Sequence, residues 1–123
     1  MQIVDYGNYL IESDLKRLKK INSVEMDLQT YFTEHKNILS NFGKLSCEIA
    51  VVGDYKVCKE RIAFSKPETI PSKGGRLWFV ISKSGFYVRC LLYLAKEEGQ
   101  FKKSVCFKIV QEKIRYLIAG QTK

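Results

Sequence analysis

Three strand-like runs in close succession, Tyr55 to Phe64, Arg76 to Ser82 and Phe86 to Ala95, constrain this chain most. They are rich in aromatic and β-branched residues, which suit a pleated surface. Lys83-Ser84-Gly85 reads as a short hairpin turn with its glycine where a positive φ is wanted. The loop from Ser65 to Gly75 holds both prolines, Pro67 and Pro71, which argues against regular structure there.

On either side the spacing becomes helical. Glu12 to Ile21 places Leu15, Leu18 and Ile21 in or near one stripe, and Asn22-Ser23 then breaks the pattern. Ser23 caps a second helix with Glu25 and Asp27 in its first turns, favourable for the dipole. That helix carries Leu28, Tyr31, Phe32, His35, Ile38, Leu39 and Phe42 and stops at Gly43. Met1 to Tyr6 reads as a short strand and Ser104 to Ala119 as a last helix. The order β-α-α-β-β-β-α predicts an α+β fold. Its helices, an N-terminal helical hairpin and a C-terminal helix, are expected to pack on one face of a small, meandering antiparallel β-sheet. The 123 residues suit a single domain, residues 1–123.

Charge is unevenly placed. Met1 to Gly53 holds 6 Lys/Arg against 7 Asp/Glu, whereas Asp54 to Lys123 holds 15 against 6, and the whole chain carries +8. Excess positive charge confined to one half predicts a surface for a polyanion. No run approaches the roughly 20 apolar residues that span a bilayer, so no membrane partner is expected. The opening Met1-Gln2-Ile3-Val4-Asp5-Tyr6 lacks a signal peptide's basic and apolar regions, which predicts a cytoplasmic protein.

Cys47, Cys58, Cys90 and Cys106 are too irregularly spaced for a zinc knuckle or a CxxC pair and read as reduced, small core hydrophobes. No metal site or cofactor motif is present in the sequence, and there is no Gly-rich phosphate loop, HExxH or GxSxG. The only histidine, His35, sits at helical spacing from Tyr31, Phe32, Ile38 and Leu39 and reads as a packed helix residue. It lies on the half without excess positive charge, which sets Ser-His-Asp and Cys-His mechanisms aside.

A basic and aromatic sheet remains. Alternation puts Lys59 and Arg61 on one side of their strand, Arg76, Trp78 and Val80 on one side of the next, and Tyr87, Arg89 and Tyr93 on one side of the third. Lys and Arg heads hold phosphates, while Tyr and Trp rings offer stacking faces to bases. Lys56, Lys59, Trp78, Tyr87 and Arg89 are accordingly candidate RNA-binding residues. The same pattern also describes a solvated face whose aromatic residues complete the core.

The chain resembles a known family at several of these points. Asp14-Leu15-Lys16-Arg17-Leu18-Lys19-Lys20 followed by Glu25-Met26-Asp27-Leu28 is similar to the helical hairpin of RelE-like toxins of bacterial toxin–antitoxin pairs, the RelE/ParE superfamily. Gly53-Asp54-Tyr55-Lys56-Val57 with Arg61-Ile62-Ala63, then Lys73-Gly74-Gly75-Arg76-Leu77, then Leu92-Tyr93-Leu94-Ala95-Lys96-Glu97-Glu98 resembles that family's strand series. The resemblance spans about Asp14 to Gln100. It implies a compact α+β toxin that cleaves mRNA at the ribosome, inhibits translation and is silenced by a cognate antitoxin protein. The antitoxin segment would lie over the basic face or in the groove between helix and sheet. Cleavage of this kind needs no metal when the RNA's own 2′-OH is the nucleophile. By motif position Arg61 and Arg76 would clamp the phosphate, with Lys73 and Lys96 as secondary contacts or proton-transfer groups.

The family's active members often carry a Tyr or His just after the last strand. This chain reads Gly99-Gln100-Phe101-Lys102-Lys103-Ser104-Val105-Cys106-Phe107 there, with neither residue until Tyr116, and Phe101 transfers no proton. Lys96 or Tyr93 is then left for proton transfer. Otherwise the chain is a gyrase inhibitor or a catalytically inactive nucleic-acid binder on the same scaffold. Supercoiling assays separate these from an endoribonuclease. An unrelated small basic nucleic-acid-binding module is a third reading, which demands steeply salt-dependent RNA affinity.

Overall fold

The computed structural model describes residues 4–8, 18, 23–35, 46–66, 68–83 and 85–121, with 4–8 and 116–121 described by backbone alone. Among the described residues five strands form one sheet: β1 (Val4–Asn8), β2 (Glu48–Val52), β3 (Tyr55–Ile62), β4 (Gly75–Ser82) and β5 (Phe86–Leu94). Their order across the sheet is β1-β5-β4-β3-β2, with β1 parallel to β5 and every other pair antiparallel. Helix α1 (Val24–Glu34) precedes β2, and helix α2 (Lys103–Gln121) ends the chain. The α+β class holds. The expected first helix, Glu12 to Ile21, and the second helix beyond His35 lie outside the described residues.

The two helices cover opposite faces of the sheet, which corrects the expectation of helices on one face. Val24, Leu28, Tyr31 and Phe32 of α1 pack with Cys58, Ile62, Leu77, Phe79, Ile81 and Leu92. Cys106, Val110 and Ile114 of α2 pack with Tyr55, Val57, Trp78, Val80, Val88, Leu91 and Tyr93. Alternate β4 residues thus serve two cores, and all eight residues of that strand are buried. The run Leu77-Trp78-Phe79-Val80-Ile81 has no polar alternation, as a strand covered on both faces requires. The four cysteines are free; Cys58, Cys90 and Cys106 are buried in these cores.

Strand β2 was not anticipated. Its Val51-Val52 runs into Gly53-Asp54 and Tyr55, a two-residue hairpin with Gly53 at φ +58°. The predicted turn before β5 forms, with Gly85 at φ +98° and its N–H donated to the Ser82 carbonyl at 3.0 Å. Among the described residues between β3 and β4, Ser65 and Glu68 form an isolated antiparallel bridge and Pro71–Lys73 a 3-10 turn. A second 3-10 segment, Ala95–Gln100, follows β5.

A bulge in β5 alters the expected grouping of side chains. Trp78 of β4 pairs with Leu91 but Phe79 pairs with Arg89, so Cys90 is an extra residue in the ladder. Tyr87 therefore joins the α1-side core and Tyr93 the α2-side core. The expectation that Tyr87, Arg89 and Tyr93 share a side fails because one inserted residue inverts the alternation beyond it. The Cys90 carbonyl receives Lys113 Nζ from α2.

Candidate nucleic-acid interface

Antiparallel register assembles the basic residues into two short rows on the α2 side of the sheet. Arg61 lies opposite Arg76, which lies opposite Tyr93; Lys59 lies opposite Trp78, which lies opposite Leu91. Cations directly opposite one another repel, so the Arg61–Arg76 pair calls for an anion. Glu98, on the 3-10 segment after β5, supplies one. One carboxylate oxygen lies 3.0 Å from Lys59 Nζ and the other 3.4 Å from Arg76 Nε. Lys59, Glu60, Arg61, Arg76 and Glu98 line a cavity of about 290 Å³.

The cations here differ in availability. Arg76 is buried and points back into its own loop. Nη1 donates to the Pro71 and Gly75 carbonyls at 3.1 Å each, and Nη2 to the Ser72 carbonyl at 3.0 Å. Burial alone would lower the Lys59 pKa, but the hydrogen bond to Glu98 and the neighbouring Tyr93 and Glu98 outweigh it and hold the ammonium above its usual value. The Lys59 hydrogen bond in turn holds the Glu98 carboxyl below the usual glutamate range. Arg61 is exposed. Its backbone N–H faces away from β4 and donates to Glu60 Oε1 at 3.1 Å, beyond the point where β2 stops pairing. Arg61 is therefore the cation of this row turned to solvent.

Tyr93 is fully buried, with its ring stacked on Phe101 (centroids 4.5 Å apart) and its hydroxyl accepting Trp78 Nε1–H at 3.2 Å. Burial pushes its pKa up, against the Trp78 hydrogen bond, so the hydroxyl holds its proton firmly. Trp78 is fully buried and carries Lys59 Nζ 5.8 Å from its ring centre. Tyr87 stacks on Phe32 with centroids 3.7 Å apart. Arg89 pairs with Glu25 of α1 at 2.8 Å and Lys56 with Glu48 of β2 at 2.7 Å; both cations are buried. Lys73 and Lys96 are exposed on the two 3-10 segments and do not line the cavity. The structure thus brings together Lys59, Arg61, Arg76 and Tyr93. It disperses Lys56, Tyr87 and Arg89 into packing and ion pairs. Sequence spacing carries no signal for Glu98, which reaches the row only through the turn at Ala95.

A second cavity, of about 450 Å³, lies between α1 and the free end of β3 and shares Glu60 and Arg61 with the first. Tyr31 and His35 also line it, so the lone histidine and the exposed arginine share one cavity despite their separation along the chain. Tyr31 donates its hydroxyl to Glu60 Oε2 at 3.3 Å. Burial and the Glu60 carboxylate push the Tyr31 pKa well up. Asp27, on the same wall, is spent on the loop after β3: it accepts Ser65 N–H at 2.9 Å, Ser65 Oγ–H at 2.8 Å and Ser23 Oγ–H at 2.6 Å.

The charge of the row bears on one expected result. Removing the internal anion frees Lys59 for an external one and leaves the charge of buried Arg76 behind it uncompensated. Glu98→Gln should raise affinity for a short single-stranded RNA by about two- to fivefold, the worth of an exposed ion pair. Glu68→Gln, which removes the same charge from an exposed loop, should change affinity less in the same fluorescence-anisotropy titration. Equal effects would show that only net charge matters. Among the described residues no helix is long and apolar enough to cross a membrane. No protein-family model, curated protein or solved structure matches this chain.

Proposed function

We propose that this protein acts on RNA as a toxin of the RelE-like kind. In this reading it is a metal-independent endoribonuclease that cleaves mRNA at the ribosome, inhibits translation and is held silent by a cognate antitoxin. The observation that carries the reading is Arg61, exposed where two cavities share it and backed by Lys59 on its own strand and Arg76 on the next. A phosphate placed there meets one free guanidinium and the field of two further cations. Such an arrangement stabilises charge that grows on phosphorus as the 2′-oxygen attacks. The excess positive charge of the second half of the chain favours the same partner.

One observation favours the alternative, a ParE-like gyrase inhibitor or an inactive binder on the same scaffold. Tyr93, Trp78 and Tyr87 are all buried, so these sheet aromatics offer neither a proton nor a stacking face at the surface.

Induced expression in a bacterial host should arrest growth and leave truncated mRNA, and Arg61→Ala should abolish both while melting like the parent protein. In vitro, Arg61→Ala should lower the slope of log affinity against log salt by about 0.7, one contact to single-stranded RNA. Growth arrest with intact mRNA and altered plasmid supercoiling would establish the gyrase reading instead. Normal growth with intact mRNA would remove both toxin readings.

A further inference from the structure

Under the endoribonuclease reading, on which this inference rests, the chain needs a group to take the proton of the 2′-OH. We propose that His35 is that general base and that the cavity between α1 and β3 holds the ribose of the cleaved nucleotide. His35 caps the C-terminus of α1, and its Nδ1 lies 2.8 Å from the carbonyl oxygen of Tyr31. A carbonyl oxygen only accepts, so Nδ1 carries the hydrogen and the neutral ring presents a bare Nε2 lone pair. The ring is stacked on Tyr31, with centroids 4.2 Å apart and planes inclined by 23°, so its orientation is held from two directions. It is half-buried and lines the cavity that Arg61 also lines.

Two of the three carboxylates that line this cavity are already occupied, and the third, Glu34, is exposed. Glu60 accepts Arg61 N–H on one carboxylate oxygen and the Tyr31 hydroxyl on the other. Asp27 is bound by Ser23 and Ser65. Tyr93 lies in the opposite core. His35 Nε2 is thus a basic lone pair held in fixed orientation on the wall of the cavity that Arg61 also lines.

Charge also orients the substrate. Arg61 and Glu60 line both cavities; beside them the His35 side carries Asp27 and Glu34, which repel a phosphate, whereas the far side carries Lys59 and Arg76 against the single carboxylate of Glu98 and attracts it. The phosphate lies toward the cations and the ribose hydroxyl toward His35. His35 Nε2 takes the 2′-OH proton as the 2′-oxygen bonds to phosphorus. The P–O5′ bond breaks with its electron pair going to the 5′-oxygen, which takes a proton from water. His35 returns its proton to solvent, and the products are a 2′,3′-cyclic phosphate and a 5′-hydroxyl.

The test uses the full chain and a short RNA, free and on ribosomes programmed with it, beside the same oligonucleotide with 2′-deoxyribose at the cleaved nucleotide. His35→Ala should slow single-turnover cleavage by about 100- to 10,000-fold. It should bind the deoxy oligonucleotide within twofold of the parent and recover part of the rate with added imidazole. His35→Gln, which keeps a donor for the Tyr31 carbonyl, should fold like the parent and remain as slow. Parent-like cleavage by both variants, or a loss of cleavage matched by a loss of binding, overturns the role of His35 and leaves the endoribonuclease reading standing. A parent protein that binds RNA and never cleaves it overturns both.

Discussion

Gly74→Ala should destabilise the protein by roughly 3 kcal/mol or more, beyond the usual cost of overpacking. A Cβ at Gly74 would stand 2.0 Å from the carbonyl oxygen of Ile62 and 2.9 Å from Thr69 Oγ1. The first of these is backbone in β3, which cannot rotate away as a side chain would. Gly74 also offers its own carbonyl to Ala95 N–H at 2.8 Å, so moving it disturbs the start of the segment that carries Glu98. The melting temperature should fall on the order of 10 °C. Gly99→Ala is the control: its Cβ would meet nothing within 4 Å, and stability should stay within about 0.5 kcal/mol. Urea unfolding of the two variants measures the difference, and a Gly74→Ala protein as stable as the parent would show that β3 and β4 are less closely held than their register implies.

Much of the fold was legible as periodicity, and the site was less so. Strands β3, β4 and β5 and the last helix follow their apolar patterns to within two residues at each end. The uninterrupted apolar run Leu77 to Ile81 also announces a strand covered on both faces. Reading it as a one-sided strand led to both helices being placed together. Val51-Val52-Gly53-Asp54-Tyr55 contains a hairpin signal that identifies β2. The bulge at Cys90 has no such signal, because an inserted residue in an apolar strand looks like any other member of it. That single residue moves Tyr93 away from Tyr87 and Arg89. Of the four cations the sequence puts forward for a phosphate, Arg61, Lys73, Arg76 and Lys96, the register brings Arg61 and Arg76 together with Lys59 and leaves Lys73 and Lys96 outside the cavity, and charge alone carries no signal for which members are free. Availability depends on partners distant along the chain: Glu98 for Lys59, and the Pro71 to Gly75 carbonyls for Arg76. Counted along the chain, His35 falls on the half without excess positive charge, whereas in space it lines the cavity that Arg61 also lines. Helix α1 carries it across to the exposed end of β3.

Arg76→Ala should cost about 3–5 kcal/mol of stability, the penalty for breaking a buried charged network, whereas Arg61→Ala should cost almost none. The Arg76 guanidinium satisfies the carbonyls of Pro71, Ser72 and Gly75 and meets Glu98 through Nε. Without it the Pro71 and Ser72 carbonyls of the exposed 3-10 turn and the buried Gly75 carbonyl at the start of β4 lose their donor, and water replaces it least well at Gly75. Lysine does not replace it: an ammonium is a point charge and cannot hold three carbonyls in a planar fork. Arg76→Lys should therefore recover only part of the loss. The two arginines share a cross-strand row and a sign of charge, yet one is a strut and the other a contact. Chemical denaturation of each variant, paired with RNA affinity on the folded fraction, separates these roles. An Arg76→Ala protein that is as stable as the parent but has lost RNA affinity would make Arg76 a phosphate ligand and move the centre of the interface from Arg61 into the β4 side of the row.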